Sequence, residues 1–202
     1  MPAKGQKRKN QIIDAAKAMF IERGYQSTHI GQICDELNIA RGTVYQYFGN
    51  KREIVYSILE GVEDELDDIF DNESLEEFAS SNPEKTAIFE FISSRYTSCV
   101  KAVLDEPIII MLMYKEISGL DDDVIERTER FVDHVTRIIS RDLEALKARG
   151  YYRADIDPQL TALLILGSVQ LLMHEFHKRR KDLLDRNVIK GVVDLITKGI
   201  IA

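Results

Sequence analysis

At 202 residues, with 45% hydrophobic and 30% charged side chains, the chain is long enough for one large or two small domains with a sizeable core, and its composition is that of a soluble globular protein. Its two cysteines, Cys34 and Cys99, have neither framework nor zinc-finger spacing, the basic N-terminus lacks the apolar run of a secretory signal, and the apolar stretches at 108–113 and 160–173 are too short or too polar to span a bilayer, so a cytoplasmic protein is expected. The net charge of −7 is uneven: residues 1–52 hold nine Lys/Arg against four Asp/Glu (net +5), and the remainder 18 against 30 (net −12), the balance of a chain that meets phosphates at one end or simply carries a solvated basic tail.

Four prolines and almost no alternating Val/Ile/Thr pattern predict an all-α fold of about nine helices. The first covers about 7–22, with Ile12, Ile13, Ala16, Met19 and Phe20 at helical spacing, and Gly24 stops it. A short helix over 30–37 turns inward Ile33, Cys34 and Leu37. Asn38 follows at a turn that needs a left-handed residue. A second short helix over 40–48 buries Val44 and Phe48, and Gly49-Asn50 breaks it. From Lys51 a longer helix runs through Ile54, Ile58, Leu59, Val62, Leu66 and Ile69. Residues 71–84 read as a polar loop with room for a short helix. Helices then follow over 84–105, over 107–118 with Gly119 as its end, and over 121–149 from Asp121-Asp122-Asp123 to Gly150. Asp157-Pro158 opens one over 157–181, and a last helix covers 186–200.

Two short helices joined by a tight turn are a helix-turn-helix, whose second helix must fit a major groove about 12 Å wide. Here that helix reads Ala40-Arg41-Gly42-Thr43-Val44-Tyr45-Gln46-Tyr47-Phe48. Arg41 suits guanine and Gln46 suits adenine, Gly42 permits close approach, and the hydroxyls of Thr43, Tyr45 and Tyr47 suit phosphate oxygens. Lys51 adds charge at the next helix start. Tyr45 and Tyr47, two apart, cannot both face one core.

The run Phe20-Ile21-Glu22-Arg23-Gly24-Tyr25-Gln26-Ser27-Thr28, then Ile33, then Gly42-Thr43-Val44-Tyr45-Gln46-Tyr47-Phe48-Gly49-Asn50-Lys51, resembles the N-terminal signature of TetR/AcrR-type regulators over roughly residues 8–60. The resemblance implies a three-helix DNA-binding head over 1–52 and a helical ligand-binding and dimerisation body over 53–202. It implies DNA contacts at Arg41, Gly42, Thr43, Tyr45, Gln46, Tyr47 and Lys51, with a phosphate contact near Thr28 or His29. Two positions depart from the pattern: Ala40 stands where Ser often caps the recognition helix, and Asn38 where Gly often turns.

For the body, the resemblance implies a cavity among helices from about 84 to 176. Candidate lining residues are Phe89, Ile92, Tyr96, Cys99, Met111, Tyr114, Phe131, Gln170 and His174, an apolar and aromatic wall with a few polar groups. The same stripe also fits ordinary core. Met111 and Met113 suit a hydrophobic effector. Leu163, Leu164, Ile165, Leu166, Leu171 and Leu172, with Val188, Val192, Val193, Leu195, Ile196 and Ile200, exceed what one monomer face buries. A homodimer through the last two helices, about 157–200, is therefore expected, on a pseudo-palindromic double-stranded operator, with a deep monomer core as the competing reading. The expected function is a DNA-binding regulator, a repressor released by a small effector, with no cofactor, no metal and no membrane partner. The alternatives are a metal-dependent helical-bundle enzyme and a ligand-independent architectural protein. His174-Glu175-Phe176-His177 is one residue short of a metalloprotease motif, and no phosphate loop or nucleophile elbow occurs.

Overall fold

The computed structural model describes residues 3–114, 117, 119–178, 190–191, 194–195 and 198–199, and of residue 3 and 176–178 the backbone alone. Among these residues the regular structure is helical: α1 (Ala3–Arg23), α2 (Ile30–Leu37), α3 (Arg41–Tyr45), α4 (Lys51–Ile69), α5 (Asn72–Ser80), α6 (Lys85–Leu104), α7 (Pro107–Met113), α8 (Asp122–Ala148) and α9 (Pro158–Lys178). The last expected helix falls mostly outside the described residues, although 190–191, 194–195 and 198–199 are helical.

Local chemistry accounts for most of the boundaries. Gly24 takes φ 84° one residue beyond α1, where a side chain would be strained, and its N–H donates to Phe20 O at 3.0 Å. Asn38 ends α2 in the left-handed region at φ 49°, ψ 52°. The Asp71 carboxylate accepts from Ser74 N at 3.0 Å to start α5, a helix inside the expected loop. Asp121 does the same for α8 through Val124 N (3.0 Å), and Asp157 for α9 through Leu160 N (2.9 Å), with Pro158 at the first helical position.

Two expected helices are shorter than the pattern implied. The recognition helix, expected over 40–48, is helical only at 41–45, because Gln46 and Tyr47 tighten into a turn in which Tyr47 N donates to Val44 O at 2.9 Å. The helix expected over 107–118 ends at Met113.

The chain divides into two compact units, Met1–Gly61 with Met111–Phe131, and Val62–Ile110 with Val132–Ala202; α4, α7 and α8 have residues in both. In the first unit Ile12, Ala16, Phe20, Tyr25, Ile33, Val44, Phe48, Ile54, Val55 and Phe131 are buried. In the second, Leu66, Phe70, Leu75, Ile92, Tyr96, Leu143, Leu146, Tyr152 and Ala162 are buried. No helix among the described residues is long and apolar enough to cross a membrane.

Candidate nucleic-acid interface

The helix-turn-helix is α2, the turn at Asn38–Ala40, and α3. Gln32 closes the start of α2, its side-chain oxygen accepting from His29 N at 2.7 Å. The turn closes through Ile39 N to Cys34 O at 2.9 Å. Ala40, at φ −69° and ψ 146°, is the N-cap of α3 and offers no side-chain acceptor, as its identity led us to expect. Helix α3 is anchored from below by Val44 and Phe48, both essentially inaccessible, while Arg41, Gly42, Tyr45 and Gln46 are exposed and Thr43 and Tyr47 are half-buried. Of the two tyrosines, Tyr45 is the one thrown outward, 54% accessible. The next helix has a reciprocal cap: Glu53 N donates to Asn50 Oδ1 (3.1 Å) and Gly49 N to Glu53 Oε2 (2.7 Å).

Two expected DNA contacts are engaged inside the fold. Thr28 is fully buried, and its hydroxyl faces Gly24 O at 2.9 Å and Met19 O at 3.3 Å, so it ties the end of α1 to the start of α2. Of the pair Thr28 and His29, only His29 is exposed. Lys51 donates from Nζ to Tyr25 O at 2.5 Å and to Thr28 O at 3.0 Å, with the ammonium 4.0 Å from the centre of the Tyr25 ring. Partial burial lowers its pKa, and Asp121 opposes that shift. Sequence spacing carries no information about which way a side chain turns, so it could not separate Thr28 and Lys51 from the exposed members of the expected set.

The same unit holds a cluster that sequence reasoning missed. Tyr25 is buried, and its hydroxyl donates to Asp121 Oδ2 at 3.2 Å. Burial first, then the Asp121 charge, pushes its pKa up. Arg52 Nε lies 3.8 Å from Asp121 Oδ2, its Nη1 pairs with Asp123, and Tyr56 Oη donates to Asp123 O at 3.4 Å. Gly119, at φ 74°, packs on Gln26 so closely that a Cβ there would lie 2.3 Å from the Gln26 Cβ.

In the second unit, Arg95 of α6 and Asp142 of α8 form a buried ion pair (Nη2 to Oδ1, 2.8 Å). Arg95 Nη1 also donates to Ser74 Oγ at 3.0 Å, and its guanidinium lies 5.2 Å from the Phe70 ring and 5.1 Å from the Phe91 ring. Burial raises the pKa of Asp142 against the pull of Arg95. It also pushes the Cys99 thiol up to about 12, with Asp142 adding to the rise, and raises the phenols of Tyr96 and Tyr152. The sequence signal for this cluster was one charged residue on each of two apolar helix faces.

The family described as "Bacterial regulatory proteins, tetR family" matches residues 12–58, the stretch that carries α2, α3 and the Asn50 cap. Residues 12–58 are a TetR-family domain. The regulator YhgD of Bacillus subtilis is 26% identical over 96% of this chain and 97% of its own length. The regulator HbdR of Aromatoleum is 44% identical over 29% of this chain and 26% of its own length. The fold is shared with the fatty acid degradation regulator FadR of Bacillus halodurans (TM-score 0.72, 21% identity, 95% of each chain). It is shared too with FadR of Bacillus subtilis, solved in complex with stearoyl-CoA (TM-score 0.69, 20% identity, 94% of this chain and 98% of that one).

Beyond the TetR-family domain, the nine residues expected to line an effector cavity do not fall in one unit. Ile92, Tyr96 and Cys99 are buried in the second unit, where Phe89, Gln170 and His174 are half-buried. Met111, Tyr114 and Phe131 belong to the first unit. Phe89 borders a cavity of about 380 Å³ together with Lys85, Thr86 and Lys198. His177, considered with His174 as a metal pair, lies outside the residues whose side chains are described.

Proposed function

We propose that two copies of this regulator present their α3 helices to successive turns of a pseudo-palindromic operator in the cytoplasm, and that a small amphiphilic effector releases them as a repressor is released. The observation that carries the DNA reading is the division of one short helix: Val44 and Phe48 hold it from inside, and Arg41, Gly42, Tyr45 and Gln46 are left in solvent. Arg41 and Gln46 have the forks that pair with guanine and adenine edges. Thr43, Tyr45, Tyr47 and His29 supply the positioning contacts to phosphates. Lys51 and Thr28 hold the loop that orients them.

Pairing of copies is supported by α9. Leu160, Leu163, Leu164 and Leu171 are each more than half accessible and recur along one face of the helix, beside Gly167, whose Cβ position is open. Buried Ala162 and Ile165 occupy the other face.

The effector class, a long-chain acyl thioester, is extended from the stearoyl-CoA complex of the Bacillus subtilis relative. Here the face of α6 carrying Phe89, Ile92, Tyr96 and Cys99 is the apolar wall in keeping with it. Such a molecule acts by binding the released state more tightly, and tenfold in that ratio is about 1.4 kcal/mol. The test selects a duplex from a randomised library on the full-length protein and then titrates stearoyl-CoA, stearate and coenzyme A against the complex by fluorescence anisotropy. Release by stearoyl-CoA supports the reading. Selection of no preferred duplex refutes the operator, and a complex indifferent to all three compounds refutes this effector class.

A further inference from the structure

Helix α2 contains a glycine whose presence its backbone does not explain. Gly31 lies in the first turn of an eight-residue helix and is not among the residues with positive φ, so any residue would satisfy its conformation. A glycine there weakens the helix relative to alanine, because it has more conformational freedom to lose. What distinguishes the position is its neighbour. A Cβ built on Gly31 would lie 2.8 Å from Arg41 Nη2, 3.4 Å from Cζ and 3.5 Å from Nε, so the guanidinium, Nη2 foremost, occupies the space that a side chain at position 31 would take. By contrast, a Cβ on Gly42, in the recognition helix itself, would meet nothing within 4 Å. The Arg41 charge also lies near enough to Cys34, one turn along α2, to oppose the rise that burial gives its thiol.

We infer that Gly31 is a specificity-determining position that acts through Arg41: the missing side chain is the seat on which α2 holds the guanidinium, aimed before DNA arrives. A fork already held in place loses less freedom when it meets a base edge, and a bidentate Arg–guanine contact depends on angle as much as on charge. The inference rests on Arg41 being a base reader. Because the clashing atoms are the far end of a flexible side chain, a methyl group at position 31 displaces the guanidinium and leaves the helix intact.

The test uses full-length protein, native and with Gly31→Ala, Arg41→Ala and both, on duplexes selected from a randomised library by the native chain and on their single-base variants. Gly31→Ala is expected to melt at the native temperature or a few degrees above it, and to lose about 5-fold or more of the discrimination at the one base pair where Arg41→Ala also loses it. In the Arg41→Ala background it should change nothing further. Discrimination kept by Gly31→Ala but lost by Arg41→Ala overturns the seat and leaves the base reading standing. Uniformly weaker binding from Gly31→Ala in both backgrounds also overturns it, since the glycine would then serve close approach of the DNA backbone. Arg41→Ala without effect at any base pair removes the base reading itself, and the seat with it.

Discussion

Replacing Lys51 by methionine separates two roles that a lysine at the start of α4 can have. The ammonium makes two charge-assisted hydrogen bonds, to Tyr25 O and Thr28 O, and covers the Tyr25 ring. Each such bond is worth up to about 1.5–3 kcal/mol when its partner is left dry. Lys51 is only half-buried, so water replaces part of the loss, and methionine keeps the packing of the stem. The net cost is therefore about 1–2 kcal/mol, or roughly 2–8 °C in the melting temperature of a chain this size. The assay is a thermal melt followed by far-ultraviolet circular dichroism, paired with operator affinity measured across a salt series. A lysine that fastens the α1–α2 loop lowers the melt, weakens binding modestly, and leaves the salt slope as it was. A lysine that neutralises a phosphate leaves the melt alone and flattens the slope by about 0.9 for each phosphate no longer neutralised. An unchanged melt with a flattened slope refutes the fastener assignment.

Further outcomes follow from the rest of the chain. Leu164→Asp places a carboxylate on the most exposed of the α9 leucines; sedimentation should show a monomer, with operator affinity down about 100-fold or more, and a persistent dimer would move the interface elsewhere. Asp142→Leu strands the Arg95 cation and should cost about 3–5 kcal/mol in urea unfolding, whereas Arg95→Met with Asp142→Leu should recover most of it; a double variant as weak as the single would mean that Arg95 matters chiefly through its bond to Ser74. The Asp71 carboxyl is held below its ordinary value by backbone N–H groups, that of Ser74 first. Its folded pKa is depressed, so the cap's contribution is complete above about pH 4 and is lost as pH falls through the lower folded value. The protection factor of the Ser74 amide, its exchange relative to the unstructured rate at the same pH, should therefore fall in that acid window, and a native profile as flat as that of Asp71→Asn would remove the capping role.

The head was readable because its information is local. The stop at Gly24, the left-handed turn at Asn38 and the break at Gly49-Asn50 each follow from what one residue type permits at one position, and together they delimit α1, α2 and α3 without knowledge of anything distant. The inward Val44 and Phe48 were readable for the same reason, being one helical turn apart. The length of α3 was not: the pair 44 and 48 faces inward whether the chain between them finishes as helix or tightens into the turn seen at Gln46 and Tyr47. Nor was the direction of Thr28 and Lys51. Residue type states how many donors a side chain has, and only the closed loop states that the acceptors nearest them are the carbonyls of residues 19, 24, 25 and 28.

The body was harder to read because its decisive pairs are remote in sequence. Arg95 and Asp142 are 47 residues apart, and each appears in the sequence as one charge on an otherwise apolar helix face. Such a residue reads as a flaw in a stripe until its partner is known; paired, it becomes the most constrained part of the interior, since removing either member leaves the other charged and dry. The expected lining set was drawn on the opposite ground, apolar character. It chose Met111, Tyr114 and Phe131 for their side-chain character and chain order, and the structure assigns those three to the unit that contains the DNA-binding helices. Apolar character selects residues that are buried somewhere, and charge on an apolar face selects residues that must be buried against something in particular. In a helical regulator of this kind the second is the sharper guide to the interior, and it points to Arg95 and Asp142 before any methionine or phenylalanine.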